Sequence, residues 1–377
     1  MQKNDTVSTL RIMHCLRAPL GGLFRHVCDL IRGQKAMGLS VGIICDIGIG
    51  DKLAGQVLEE FSRECDLGAH RLTISRRVSI RDVLTYRHIT AICKAQAPNI
   101  LHGHGAKGGA FARLLARSLG VAAVYTPHGG ALHYGTRSPS GRFYISIERL
   151  LRQWTDGLIF ESDYARRAYI DKVGALPAHS RLIFNGLHEE EFSSLDNASA
   201  DYDFVFVGEL RRLKGPQVMV EALSRIDRPC RALIVGTGPA SAELARYIHA
   251  HGLDSRVTLA PPVYPATNAF AKGACVVVPS LAESLPYVVL EAAAARRPLI
   301  ATDIGGIPEI FASQATRLVK AGDAAALAEA MTDYLDHPGE ARERAGRLQA
   351  RVREHFRVSQ MVTSTSEFYG EVMRSCA

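Results

Sequence analysis

Two carboxylates eight positions apart, Glu283 and Glu291, lie in the segment Pro279-Ser280-Leu281-Ala282-Glu283-Ser284-Leu285-Pro286-Tyr287-Val288-Val289-Leu290-Glu291. The apolar residues 275–278 run into it as a buried strand does. Ser284 is then placed to cap a helix whose first turn holds Pro286, because proline has no N–H to lose there. Backbone N–H groups at such a helix start, near Ser284 and Leu285, suit a diphosphate. Carboxylates accept hydrogen bonds from paired hydroxyls, which suits Glu291 to a ribose and Glu283 to a sugar. A strand, a turn and a helix with a glutamate at each end also occur in any α/β protein. Other segments must separate the two readings.

Three further groups bear on that choice. In Ala18-Pro19-Leu20-Gly21-Gly22-Leu23 a strand meets two glycines and a helix, where a backbone can approach a phosphate closely. The spacing is not G-x-G-x-x-G, so a simple tight turn reads equally well. In Gly208-Glu209-Leu210-Arg211-Arg212-Leu213-Lys214-Gly215 a strand ends and three cations follow, placed to neutralise a leaving diphosphate. In Tyr125-Thr126-Pro127-His128-Gly129-Gly130 a strand ends with His128 on the turn. The pair His102 and His104 has i, i+2 spacing without a carboxylate nearby, and zinc is not expected there.

These residues need elements to position them. Short apolar strands alternate with helical patterns throughout, the mark of parallel sheets built from βαβ units. In the first half strands are expected at residues 10–16, 41–45, 71–74, 100–102, 122–126, 157–160 and 181–184, with helices at 23–37, 107–119 and 163–173. The polar stretch 188–201 interrupts the pattern and marks a domain boundary. Strands resume at 204–207, 232–235, 257–259, 274–278 and 299–301, with a helix at 216–226 and helical sequence from 323 onward. The expected domains are 1–188, 189–355 and a C-terminal helix, 356–377, returning to the first domain. Two Rossmann-like α/β domains would face a central cleft, where open α/β sheets bind ligands.

Bulk properties set the class. The 377 residues suit two cores rather than one. No apolar run is long enough to span a bilayer, and the first ten residues lack the apolar block of a secretory signal. Eight scattered cysteines without a C-x-x-C read as buried reduced thiols. A cytoplasmic protein is expected. Residues 1–190 hold 25 lysines and arginines against 16 acids, a net of +9, whereas the remainder holds 20 against 22, a net of −2. Arg71, Arg76, Arg77, Arg81 and Arg87 form the densest cluster, followed by Arg113, Arg117, Arg137, Arg142, Arg149 and Arg152. Such a half suits an anionic partner: a membrane surface, a phosphorylated acceptor or nucleic acid. A solvated face would carry the same charge. Nucleic acid ranks last, because the cluster lacks interleaved aromatics or a recognised motif.

Taken in order, these elements resemble the retaining glycosyltransferases of the GT4 family, which have the GT-B fold. The resemblance covers nearly the whole chain. It rests on the Glu283–Glu291 segment, the Gly208 to Gly215 loop and the turn Thr302-Asp303-Ile304-Gly305-Gly306-Ile307-Pro308-Glu309. Phe184-Asn185-Gly186-Leu187 looks like the family's Asn-Gly hinge, and Val235-Gly236-Thr237-Gly238-Pro239 like its Gly loop. By that resemblance Glu283 would contact the donor sugar and Glu291 the ribose. The backbone at Ser284, Leu285 and Pro286 would meet the diphosphate, with Lys214 as its main cation. Gly21 and Gly22 would close over the phosphates, His128 would sit beside the anomeric centre, and Val263 would lie near the base. The family commonly has arginine where this chain has Glu209. The expectation is that Arg211 or Arg212 supplies that charge while Glu209 orients it.

The activity so implied is retaining transfer of a hexose from a nucleotide diphosphate sugar to a hydroxyl of a lipid-linked or saccharide acceptor. It belongs to cell-surface polysaccharide synthesis, lipopolysaccharide included, at the inner face of the cytoplasmic membrane. No metal or other cofactor is required by the family's chemistry, consistent with the absence of an Asp-x-Asp motif near the proposed site. A GT-B sugar-nucleotide epimerase, a soluble disaccharide synthase and a non-catalytic nucleotide-sugar-binding subunit are the rivals.

Overall fold

The computed structural model describes residues 10–48, 50, 52–76, 78–133, 135, 138–195 and 200–376. Arg77 and Arg137 of the basic half, and residues 196–199 of the polar stretch, lie outside them. The chain divides into two compact units, one of residues 1–186 together with 358–377, the other of residues 187–357.

In unit 1, strands and helices alternate: β1 (Arg11–Cys15), α1 (Gly21–Ala36), β2 (Ser40–Asp46), α2 (Lys52–Glu64), β3 (Ala69–Leu72), α3 (Arg81–Gln96), β4 (Ile100–His104), α4 (Gly105–Leu119), β5 (Ala122–Thr126), α5 (Pro139–Leu151), β6 (Gly157–Phe160), α6 (Asp163–Lys172) and β7 (His179–Leu182). The seven strands form a sheet in the order β3-β2-β1-β4-β5-β6-β7, and every pairing is parallel. Parallel strands covered by helices on both faces need apolar side chains on both. β4 and β5 are accordingly buried along their whole length.

Unit 2 repeats the plan: β8 (Tyr202–Val207), α7 (Pro216–Ser224), β9 (Ala232–Val235), α8 (Ser241–Ala250), β10 (Val257–Ala260), α9 (Thr267–Phe270), β11 (Gly273–Val278), α10 (Tyr287–Ala294), β12 (Leu299–Ala301), α11 (Ile307–Phe311), α12 (Ala324–Asp336) and α13 (Pro338–His355). Its five parallel strands run β10-β9-β8-β11-β12. The last helix, α14 (Val358–Cys376), belongs to unit 1 and packs against α1. There it buries Phe368, Tyr369 and Val372. Full burial of such a side chain contributes roughly 1.5–3 kcal/mol.

In both sheets the strand order reverses beside the first strand, between β1 and β4 and between β8 and β11. Loops leaving the carboxyl ends of those strands form the crevice in which open α/β sheets take ligands. Hydrophobic cores flank each sheet, and the seven cysteines whose side chains are described are buried free thiols.

The observed bounds correct several expectations. β3 lies two residues before its expected place, because Ala69 pairs with Ile43, and Ile74 instead gives its N–H to the Asp46 carboxylate. The division between units falls after Gly186 rather than within the polar stretch. Leu187 already belongs to unit 2, where it pairs with Arg357 and its N–H binds the Phe356 carbonyl at 2.9 Å. Helix α1 begins at Gly21 instead of Leu23, so both glycines form its exposed first turn rather than a turn before it. Helix α10 begins at Tyr287 with Pro286 as its N-cap, and no side chain caps it. Ser284 is therefore not the cap and Pro286 not in the first turn, since the extended backbone at Pro286 (φ −76°, ψ 126°) precedes the helical dihedrals.

Candidate functional site

In unit 2, the loop after β8 and the loop after β11 meet. The Leu281 N–H binds the Leu213 carbonyl at 2.8 Å, which ties the basic loop to the acidic segment. Lys214 donates to Glu283 Oε1 at 2.7 Å, and the Ser280 hydroxyl donates to the same oxygen at 2.7 Å. Glu283 and Ser280 are buried, while Lys214 is half-buried. Thr302, after β12, donates to the Ser280 carbonyl at 2.7 Å and holds the turn from behind.

Two glycines make these approaches possible. Gly215 has φ +67°, and a Cβ there would come within 2.0 Å of the Pro279 carbonyl oxygen. At Gly305, with φ +62°, a Cβ would lie 2.2 Å from the Glu283 carbonyl oxygen. Only glycine fits either position. The next residue, Gly306, donates its N–H to the Ser284 carbonyl at 2.6 Å. Glu291 is half-buried in the second turn of α10, and Val263 lies partly exposed between β10 and α9. Arg211 and Arg212 are exposed, and Arg211 Nε lies 3.2 Å from the Glu209 carboxylate. The elements thus bring Lys214, Ser280 and Glu283 together. A buried carboxylate with one cation and one hydroxyl on a single oxygen can exchange those partners for ligand hydroxyls. A separate cavity of about 400 Å³ in unit 2, lined by Ile300, Phe311, Leu318 and Ala330 among others, touches none of the expected site residues.

The crevice of unit 1 is built of histidines. His14 on β1 pairs in register with His102 on β4, two residues before His104. His26 comes from α1 and His128 from the turn after β5. His14 Nδ1 lies 3.0 Å from His104 Nε2, and His104 Nδ1 lies 3.1 Å from His128 Nε2. The outer nitrogens are held as well. His14 Nε2 is 2.9 Å from Gln34 Oε1, and His26 Nδ1 is 3.0 Å from Asn185 Oδ1. His102 lies between the Tyr369 hydroxyl, at 2.6 Å, and the Thr126 hydroxyl, at 2.9 Å. Four of the five rings are buried, and His128 is half-buried. Burial disfavours the imidazolium, which lowers His14 to about 4 and His128 to about 3 and pushes His26, His102 and His104 well below the usual range. All five are neutral near pH 7. His128 has φ +48°, a left-handed conformation costly for a residue with a Cβ and found where a site demands it.

This cluster is what sequence reasoning missed. It set His102 and His104 aside for want of a carboxylate, whereas the neighbours are further histidines. His14, His102 and His104 bring three ring nitrogens within 4.8 Å of one another, as do His26, His104 and His128. In sequence each of His14, His104 and His128 stands only near the end of its own strand, and it is the sheet order that makes β1, β4 and β5 neighbours.

Residues 20–191 match the family model "Glycosyltransferase Family 4", and residues 201–337 match "Glycosyl transferases group 1". The chain thus carries a family 4 glycosyltransferase domain followed by a group 1 glycosyl transferase domain. It is 32% identical over 218 residues to the D-inositol 3-phosphate glycosyltransferase of Paenarthrobacter aurescens, covering 55% of this chain and 53% of that protein. It is 28% identical over 251 residues to the phosphatidylinositol N-acetylglucosaminyltransferase gpi3 subunit of Schizosaccharomyces pombe, covering 63% and 54% respectively. The chain thus spans about half the length of these curated relatives. Among solved structures it is similar to the sucrose-phosphate synthase of Thermosynechococcus elongatus, with TM-score 0.81 and 22% identity over 97% of this chain and 100% of that one. It is also similar to Anabaena Alr3699/HepE in complex with UDP-glucose, with TM-score 0.79 and 17% identity over 96% and 100%. The fold of the chain is GT-B. Among its described residues no helix is long and apolar enough to cross a membrane.

Proposed function

We propose that the protein is a retaining glycosyltransferase that moves a hexose from a nucleotide diphosphate sugar to a hydroxyl of a lipid-linked or saccharide acceptor in cell-surface polysaccharide synthesis. The observation that carries this reading is the buried Glu283 carboxylate, held on one oxygen by Lys214 and Ser280 at the switch point of unit 2. A donor would engage it in parts. Lys214, with Arg211 or Arg212, neutralises the diphosphate, and the Ser284 to Pro286 segment before α10 lies against it. Pro286, having no N–H, contributes shape rather than a donor. Glu283 accepts from sugar hydroxyls, Glu291 from the ribose, and Val263 lies near the base.

In unit 1, His128 contributes to recognition of the transferred sugar, and Gly21 and Gly22 offer the exposed first turn of α1 to phosphate. The anomeric carbon–oxygen bond to the diphosphate breaks as the acceptor oxygen attacks from the same face, and the departing phosphate oxygen takes the acceptor's proton. Lys214 and the neighbouring arginines supply positive charge for the departing diphosphate, and the proposal assigns no metal to the step. NMR analysis of the product made from a nucleotide sugar and a lipid-linked acceptor tests the reading. The expected result is a new glycosidic bond with the donor's anomeric configuration, and inversion or epimerised donor without transfer contradicts it.

The acceptor part of the reading rests on unit 1. Ile80, 88% exposed, and Val83 and Leu84, both 59% exposed, lie at the start of α3 beside the exposed Arg76, Arg81 and Arg87. Apolar side chains among guanidinium groups suit the surface of an anionic bilayer. Flotation with anionic liposomes at moderate salt should carry the protein upward, and its retention in the soluble fraction would remove the membrane from the proposal.

A further inference from the structure

The histidines of unit 1 form a chain whose direction is set at one end. A neutral imidazole offers one N–H and one lone pair. Gln34 Oε1 can only accept, so His14 Nε2 carries the proton of that 2.9 Å contact and His14 Nδ1 is bare. The 3.0 Å contact to His14 Nδ1 then needs an N–H from His104 Nε2, which leaves His104 Nδ1 bare. The 3.1 Å contact to His104 Nδ1 in turn needs an N–H from His128 Nε2. The chain ends at His128 Nδ1, a lone pair on the one half-buried ring of the set. Among the described residues the neighbouring groups have partners of their own. His102 is engaged by Tyr369 and Thr126, His26 is anchored by Asn185, and Asp29 is paired with Arg25 at 3.6 Å.

We infer that Gln34, His14 and His104 are positioning residues that fix His128 with its proton on Nε2, so that Nδ1 meets the ligand as an acceptor and selects a sugar hydroxyl over a uronate carboxylate. This rests on the reading that His128 recognises the transferred sugar. A hydroxyl can donate to the bare nitrogen, whereas a carboxylate would set one lone pair against another. The same geometry bears on metal binding. Three-histidine coordination by His26, His104 and His128 through His104 Nδ1 and His128 Nε2 would require both nitrogens to be bare, and the chain places a proton between them.

Long-range nitrogen–proton NMR on the full chain with ¹⁵N-labelled histidine reads the tautomers directly. The expected result is His128 protonated at Nε2 and bare at Nδ1. Gln34→Met, which removes the terminal acceptor, should mix the two tautomers, while Gln34→Glu restores the acceptor and the single form. A wild-type His128 protonated at Nδ1 overturns the inference without needing any variant. So does displacement of these signals by added Zn²⁺ that a chelator reverses. In parallel, binding of UDP-, GDP- and ADP-hexoses is compared with that of the matching uronates. The neutral sugar should bind about tenfold tighter or better, the cost of one unmet hydrogen bond, and Gln34→Met should narrow that ratio without abolishing binding. Equal or tighter uronate binding overturns the substrate class. A panel in which no nucleotide sugar binds sinks the transferase reading, and the selectivity resting on it, while the tautomer result stands; the wrong tautomer with normal hexose binding sinks the chain alone.

Discussion

Both sheets reverse their strand order beside the first strand, yet the residues gathered at the two crevices differ in kind. Unit 1 places five neutral imidazoles, two amides and two hydroxyls there, each contact between groups without charge. Unit 2 places a lysine against a buried carboxylate, with two exposed arginines on the same loop. Neutral networks orient a group without attracting an ion, because burial has removed the charge that would do so. Ion pairs in a polar loop can be rearranged to hold phosphates and hydroxyls. One topology therefore supports orientation in one unit and charge neutralisation in the other.

The largest expected effect comes from removing the charged side. Glu283→Ala should lower transfer about a thousandfold with the thermal unfolding profile retained, because it deletes the proposed acceptor of the sugar hydroxyls and removes the Lys214 contact. Transfer near the wild-type rate in a folded variant would erase the distinction between the units.

Acid should act on the neutral side. In the unfolded chain the histidines take up protons below about pH 6.5, whereas the folded His14 and His128 resist until about 4 and about 3. The unfolded state binds more protons in that window, so unit 1 loses stability as the pH falls from about 6.5, the share of His14 levelling off below about 4 and that of His128 below about 3. The loss is about 1.4 kcal/mol for each such histidine per pH unit while only the unfolded form titrates. Trp154, the single tryptophan, lies in unit 1 and reports it. Its urea midpoint should drop between pH 7 and pH 5, and His14→Gln should flatten that slope. A midpoint indifferent to pH would show that burial does not hold the rings neutral.

Smallest is the exposed pair of Glu209 and Arg211. An ion pair in water contributes about 0.2–1 kcal/mol, so Glu209→Gln should change donor affinity no more than about fivefold. Arg211→Ala and Arg212→Ala then separate orientation from charge. Donor binding unchanged in both would remove the two arginines from the phosphate site.

Much of this architecture was legible in the sequence because its strands announce themselves. Val276, Val277 and Val278 are buried where an apolar run stands, and β5, β6, β9 and β12 begin and end where alternation with polar turns places them. Boundaries governed by long-range contacts were not legible. The start of α10 at Tyr287 follows from backbone dihedrals at Pro286 that a capping pattern around Ser284 did not reveal. The end of unit 1 depends on Leu187 pairing with Arg357, which is distant in sequence. At the candidate site Lys214 and Glu283 were named separately, but their 2.7 Å contact needs both loops. The histidine chain was invisible for a similar reason. Its members come from β1, α1, β4 and the turn after β5, and only the parallel register brings His14 beside His102 and His104.

The most direct test of the central claim is binding of nucleotide diphosphate sugars to the wild type and to Lys214→Met, followed by thermal shift. A bound donor stabilises by mass action. The account predicts that at least one such donor raises the melting temperature of the wild type in a concentration-dependent way and that Lys214→Met, folded, loses most of that shift. Equal shifts in both proteins, or none with any donor in the wild type, would contradict it.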